Sequence, residues 1–396
     1  MNEKKLNLQY AIINALFYSI QCMTYGYASV FLLDKGLNNS IIGIMLASAS
    51  IISVFGQSIL ASYLDRSNKV NEKGLLKIIS LVVIVFAVIV AVLGNVPFIL
   101  IISVVLLNAS LFIMLPFINS LTFIFEKRGI FLNYGIARGI GSAGYALMSL
   151  FLGYFLNQYS PSLLPYFYTI MAVIMFAVIN MFKVPKESSD MNAIITDDAA
   201  KEQLSIGQFL KKYNTLIPIF LGTILMLMDQ SIITSFMIHI IESVGGTTAN
   251  QGTTMFIQAM AELPTMFAFT WLVKKLTNHR LMKISAIAFS VKHVLTALAI
   301  NIPMLYGIAL LQAFGNALFT PASVYFIAHA IDEKDLNKGQ ALMTASMMMS
   351  GVFATLVGGV LFDLFPVRIV LVVGAILSVL GTLIILNGLK AFDSKM

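Results

Sequence analysis

Charge is what this sequence has least of. Of 396 residues only 11% are Asp, Glu, Lys or Arg, against about 25% in a soluble domain, so a water-facing surface for a chain of this length cannot be built. One cysteine, Cys22, excludes a disulfide framework, which needs at least a pair. The four histidines, His239, His279, His293 and His329, show no metal-ligand spacing, and no H-E-x-x-H occurs, so neither a metal site nor an intramembrane metalloprotease is expected. No G-x-x-x-x-G-K-[ST] is present either, which removes an ATP motor carried on the chain. No cofactor is expected.

What is abundant is apolar: 59% of residues are hydrophobic, enough for about twelve bilayer spans of about 20 residues each. Soluble enzyme, secreted domain and disordered interactor are excluded together. Hydropathy predicts spans at about 8–33, 40–63, 75–95, 97–125, 133–157, 162–183, 213–241, 250–273, 281–300, 303–330, 338–362 and 367–389. The expected fold class is an all-α membrane protein of two six-helix halves. The opening Met1-Asn2-Glu3-Lys4-Lys5 leads into a span too long for a signal-peptide core, so the first helix is expected to be retained.

The formal net charge of +7 suggests an anionic partner, but membrane proteins gather Lys and Arg in cytoplasmic loops for topology, so no nucleic acid is expected. With both termini cytoplasmic, the outer segments hold only Lys35 and Arg368, while Arg138 and Lys292 fall inside spans and every other Lys and Arg is inside the cell. The expected location is the plasma membrane. The longest polar stretch splits six spans from six, giving residues 1–184 as one bundle, 185–212 as a cytoplasmic linker and 213–396 as a second bundle. Within it LSIGQFLKKY (204–213) has the pattern of an amphipathic helix on the inner membrane surface. Basic turns after the second and eighth spans repeat in character, as in secondary transporters built from parallel repeats.

Four charges lie inside spans: Arg138, Asp229, Glu262 and Lys292. Each costs about 2.5–3.5 kcal/mol near the bilayer centre, so they are expected to face one another or water. They serve either as neutralising pairs that hold helices in register or as a proton site, in which a carboxylate changes protonation as a basic partner moves. His293 projects about 100° from Lys292 along a helix, so packing competes with a titrating role there; His239 is expected at the membrane interface. Gln258 sits four residues before Glu262, Gln230 follows Asp229, and Gln21 and Tyr25 share a face. Asn108, Asn119, Gln312 and Asn316 add amides to the fourth and tenth spans. So many amides suit a solute rich in hydroxyls or amides, although amides also hold helices together. The run Met343, Met347, Met348 and Met349 reads as plastic core.

Twelve spans, a central linker and YLDRSNK after the second span resemble the major facilitator superfamily, whose motif there is G-x-x-x-D-[RK]; Asp65 and Arg66 fit, and Ala61 replaces the glycine. The resemblance implies that Asp65 and Arg66 latch the inner face in one conformation. Within that superfamily YGIARGIGSAGYA (134–146), MDQS (228–231), AELPTMF (261–267), SVKHV (290–294) and GQALMT (339–344) resemble the branch that contains lactose permease and related oligosaccharide and aromatic-acid proton symporters. It implies Arg138 as the substrate-binding arginine, Tyr145 as an aromatic that stacks on sugar, and Lys292 where the branch has arginine. The sequence departs from the branch at Asn119, Gln312 and Gly315, where lactose permease carries two acids and a histidine.

The sequence therefore predicts a monomeric proton-coupled symporter of a small polar solute such as a sugar or nucleoside, powered by the proton gradient. Glu262, preferred over Asp229, carries the proton; Arg138, Tyr145, Asn119, Gln258, Lys292, Gln312 and Tyr25 bind the solute. A proton-coupled exporter of drugs or amphipathic metabolites is the alternative, disfavoured because GSAGYALMSLFLG (141–153) lacks the glycine-proline motif of antiporters. A facilitator or lipid flippase without proton coupling is a third reading.

Overall fold

The computed structural model describes residues 3–66, 72–126, 129–182 and 205–393, without the side chains of residues 65, 66, 270 and 393. Linker residues 185–204, the basic loop 67–71 and the side chains of Asp65 and Arg66, the expected latch, thus lie outside the described residues.

Sixteen α-helices and no strand occur among the described residues. The first pass is broken: α1 (Glu3–Gln21) runs into a five-residue π turn, Cys22–Gly26, and resumes as α2 (Ala28–Asp34), bent by 46°. Gly26 is required in this turn, since a Cβ there would sit 2.9 Å from the Tyr145 hydroxyl and 2.6 Å from Met255 Cε. Next come α3 (Asn39–Arg66), α4 (Glu72–Leu93), α5 (Pro97–Glu126), α6 (Tyr134–Gln158) and α7 (Leu164–Met181). Asn133 caps α6 by accepting from Ile136 N at 3.0 Å.

Helix α8 (Ile206–Lys212) follows, started by a capping box of Ser205 and Gln208. Then α9 (Ile217–Ser235) breaks at Phe236 and continues as α10 (Met237–Ser243), before α11 (Thr248–Lys275) and α12 (Asn278–Ala297). The tenth pass is also broken, α13 (Ile302–Ala309) meeting α14 (Asn316–Ala330) through the tight turn Leu310–Ala313. Helices α15 (Leu336–Leu364) and α16 (Val367–Asp393) close the chain.

Nine helices among the described residues are long and apolar enough to cross a bilayer, ten when bent α1–α2 is one span. The expected count of twelve is not reached on composition. Helices α11 and α12 cover the eighth and ninth expected spans, but α11 opens TANQGTT and contains Glu262, and α12 carries Arg280, Lys283, Lys292 and His293. Their polarity is what the site requires.

Helices α1 and α3–α7 pack mainly on one another, as do α9 and α11–α16; the two groups meet where α3 lies on α15 and α6 on α11. Chain direction puts the starts of α3 and α11 and the ends of α6 and α15 at the end of the bundle far from the termini. Contact is closest there. A Cβ on Gly153 would lie 2.8 Å from Gly252 Cα and from Thr248 O, and one on Gly43 would collide with Thr355 O. Small residues let helix backbones touch, as membrane helix contacts need.

One apolar cluster runs from Phe17 and Leu46 in the first group into Ile233, Phe236 and Ile241 in the second, while the near end of the second group has a separate cluster around Phe209, Phe289 and Leu389. Toward the termini Phe55 and Ile59 on α3 and Phe267 and Trp271 on α11 are exposed. The groups are thus sealed against each other at the far end, while the near end carries large exposed side chains.

Candidate substrate cavity

Between the two groups lies a cavity of about 370 Å³. Four helices line it at helical spacing. Tyr18, Gln21 and Tyr25 come from α1 and its π turn, Arg138, Ser142 and Tyr145 from α6, Gln230 and Thr234 from α9, and Met255, Gln258, Ala259 and Glu262 from α11. Intervals of three and four residues put each set on one helix face. Gln312 and Asn316 enter where the tight turn Leu310–Ala313 interrupts the α-helical pass between α13 and α14.

The two walls differ. Arg138 lies with its guanidinium 4.2 Å from the Tyr18 ring centroid and donates from Nη1 to Ser142 Oγ at 2.9 Å. Among the described residues it has no carboxylate partner. On the other wall Glu262 Oε1 accepts from Gln312 Nε2 and from Asn316 Nδ2, both at 2.9 Å, while Oε2 makes no hydrogen bond among the described residues. Gln312 is itself oriented by Lys292, whose Nζ donates to its Oε1 and also to Gln230 Oε1 at 2.8 Å. A cation bound to the amide oxygen leaves the NH₂ pointing at the carboxylate.

Arg138, Tyr145, Gln258, Gln312, Tyr25 and Glu262 therefore come together on the cavity. Three expected residues do not. Lys292 is 1% exposed and stands behind the wall, reaching only the amides that face the cavity. Asp229 is 0% exposed and faces α16 instead of the cavity, fitting because Gly374 has no Cβ to collide with its carboxylate. One residue further on, about 100° around α9, Gln230 takes the cavity position. Neither Asp229 oxygen has a hydrogen-bond partner among the described residues, and His293 Nδ1 stands 3.6 Å from Oδ2.

His293 is fully buried, with Ser378 Oγ 2.7 Å from Nδ1 and Gln230 Oε1 3.4 Å from Nε2, so it joins the polar layer behind the cavity wall. Asn119 lies two turns toward the termini from Phe112, the α5 residue whose ring meets Tyr25 at 5.5 Å, and it does not line the cavity. His239 is not merely interfacial: its Nε2 is 2.6 Å from Asn39 Oδ1 and its ring stacks on Phe362 at 5.1 Å.

Sequence reasoning missed Tyr18, Ser142, Ser231 and Thr234 on this cavity. Three were legible as partners at helical spacing: Tyr18 with Gln21 and Tyr25, Ser142 with Arg138, and Thr234 with Gln230. It also missed the hydrogen bonds that close the cavity's far end. Ser29 Oγ donates to Ser235 O, the hydroxyls of Tyr25 and Ser235 are 3.2 Å apart, and Gln251 Nε2 donates to Gly26 O at 3.2 Å. Asp363 at the end of α15 accepts from the backbone N–H groups of Asn39 and Ser40 at 2.9 and 2.8 Å and from both their side chains. It caps a helix of the opposite group.

Comparison with known proteins bears on this arrangement. A maltose permease of Geobacillus stearothermophilus is 23% identical over 379 residues, covering 94% of this chain and 92% of its own. The nucleoside transporter NupG superposes with a TM-score of 0.75 at 15% identity, covering 100% of this chain and 99% of that one. A bacterial homolog of the human lysosomal transporter Spinster, solved inward-facing and unoccupied, gives 0.70 at 13% identity over 99% and 98%. The last two show the fold, and these relatives are membrane transporters, not enzymes. The model of the MFS_1 like family matches residues 7–373, and the chain belongs to that family of multi-pass membrane transporters.

Proposed function

We propose that this transporter is a proton-coupled symporter of a small polar solute, of the sugar or nucleoside class, working as a monomer by alternating access. Residues 1–184 and 213–396 move as two bodies joined by the linker 185–212, with both termini in the cytoplasm and the proton gradient across the plasma membrane as energy source. The observation that carries the reading is Glu262: a carboxylate on the cavity wall, one oxygen held by two amides and the other without a bond among the described residues. Such a group binds a proton or a solute hydroxyl on the unbonded oxygen without leaving its place. The maltose permease and nucleoside transporter among its relatives support a hydroxylated solute, and so do the amides of Gln21, Gln230 and Gln258 on the walls.

Asp229, off the cavity, is assigned to holding α9, α12 and α16 together, which leaves Glu262 as the proton carrier. The test is external pH in proteoliposomes of the purified protein while solutes are added. Alkalinisation on adding a solute is expected for the native chain. Glu262→Gln is expected to lose proton movement and uphill uptake by at least a hundredfold while exchange of solute persists. Unchanged uphill uptake in that variant excludes Glu262, and acidification on adding a cationic drug replaces the reading with export.

A further inference from the structure

The charges on the two cavity walls do not meet, and this bears on what kind of solute fits between them. Resting on the proton-symport reading, the geometry points to a solute that carries a single negative charge, a monocarboxylate, seated on Arg138.

Among the described residues Arg138 lines the cavity with one side-chain hydrogen bond, to Ser142, and with its face on Tyr18. A guanidinium has five N–H donors in a planar fork that matches a carboxylate with two parallel bonds. No carboxylate among the described residues claims that fork: α5 carries an amide, Asn119, and it lies away from the cavity. Glu262, the one carboxylate among the lining residues, stands on the opposite wall, held by Gln312 and Asn316. The other titratable lining residues are Tyr18, Tyr25 and Tyr145, neutral at physiological pH.

Four forms of the cavity can be compared. Empty, with Glu262 ionised, its lining carries one positive and one negative charge. With a proton alone on Glu262 it carries a net positive charge, and a proton plus an uncharged solute leaves it the same. A proton plus a monoanion restores neutrality. Lys292, Asp229 and His293 stand behind the wall, exchange nothing with the solute and contribute equally to all four. Closing a cavity around a net charge costs desolvation that closing around a balanced set largely avoids. The empty and the fully loaded forms are thus the two that close readily, which is what obligatory symport demands. A phosphate monoester, at about −1.5 to −2 near pH 7, overshoots the balance.

The experiment uses the full-length protein in proteoliposomes and size-matched pairs: glucuronate with glucuronamide, orotidine with its 6-carboxamide, and benzoate with benzamide. For at least one pair the carboxylate is expected to enter at least tenfold faster than its neutral mate, with one proton, driven by a pH gradient and unaffected by an imposed membrane potential. Arg138→Gln, eluting as the folded protein, is expected to lose that tenfold preference. Neutral members entering with protons, faster under an inside-negative potential, overturn the anionic solute and leave proton symport standing. Carboxylate entry without proton movement, or no proton movement with any pair, overturns the symport reading and the charge balance with it. A preference for the carboxylate that survives Arg138→Gln overturns the seat.

Discussion

The same two helix pairs, α3 with α15 and α6 with α11, touch backbone to backbone at one end and carry large exposed side chains at the other. At the far end backbones touch through Gly43, Gly153 and Gly252, and Asp363 caps α3 across the gap. Toward the termini the same helices carry Phe55, Ile59, Phe267 and Trp271, all exposed. A seam of small residues and directed hydrogen bonds closes in one geometry only, whereas a rim of large apolar side chains tolerates many separations. The far end is a defined stop and the near end a variable opening.

Breaking the seam outright is expected to have the largest effect. Gly252→Leu places a branched side chain against Ser149 O and Gly153, where even a Cβ does not fit. Uptake is expected to fall by more than a hundredfold, with a spin-label pair at positions 38 and 365 reading a widened far end; near-normal uptake would remove the seam from the cycle. Asp363→Ala removes the cap while leaving the backbone contacts. Loss of a cap costs about 0.5–2 kcal/mol, so the closed population read by the same labels is expected to drop by a factor of about 2 to 30.

Tyr25→Phe takes away only the Ser235 contact. At about 0.5–1.5 kcal/mol for one hydrogen bond, a shift of about two- to tenfold is expected, and none at all would show that the hydroxyl pair idles. The smallest effect belongs away from both seam and rim, where Lys212 Nζ reaches Asp332 and Asp335 at 2.7 Å and ties α8 to the turn before α15. Hydrogen bonding to Lys212 holds the Asp332 carboxyl below its usual range, so its contribution is present above about pH 4 and is lost as pH falls through the lowered value. Donation to the Asp332 carboxylate shifts Lys212 upward, so its contribution persists below about pH 10 and fades only at higher pH. Amide exchange in α8 is expected to be flat from about pH 5 to about pH 9 after correction for intrinsic rates. Acceleration near neutrality would place another group in the clamp.

Much of this was legible in the residues. Apolar runs located the helices, and buried charge pointed to Arg138 and Glu262, because a charge inside a span needs a compelling environment. Spacing along α11 predicted that Gln258 and Glu262 share a face. Hydropathy failed where helices break, since the five-residue π turn Cys22–Gly26 and the stop at Phe236 are short events inside apolar runs. Asp229 and Gln230 are adjacent in the chain yet serve different surfaces, a distinction set by the position of Gly374 on α16. Lys292 could be placed near the site but not behind it, because which of two neighbouring amides intervenes is decided by three helices at once. Asp363 carried no signal, as a capping carboxylate at a loop resembles any solvated acid until its partner helix is known.

Cys22 is the chain's single thiol, fully buried in the π turn that joins the two arms of the first pass. The unmodified protein therefore carries its own chemical clock: alkylation by a small maleimide proceeds only as fast as that turn comes apart, and a solute that holds the far end shut slows it without any engineered label.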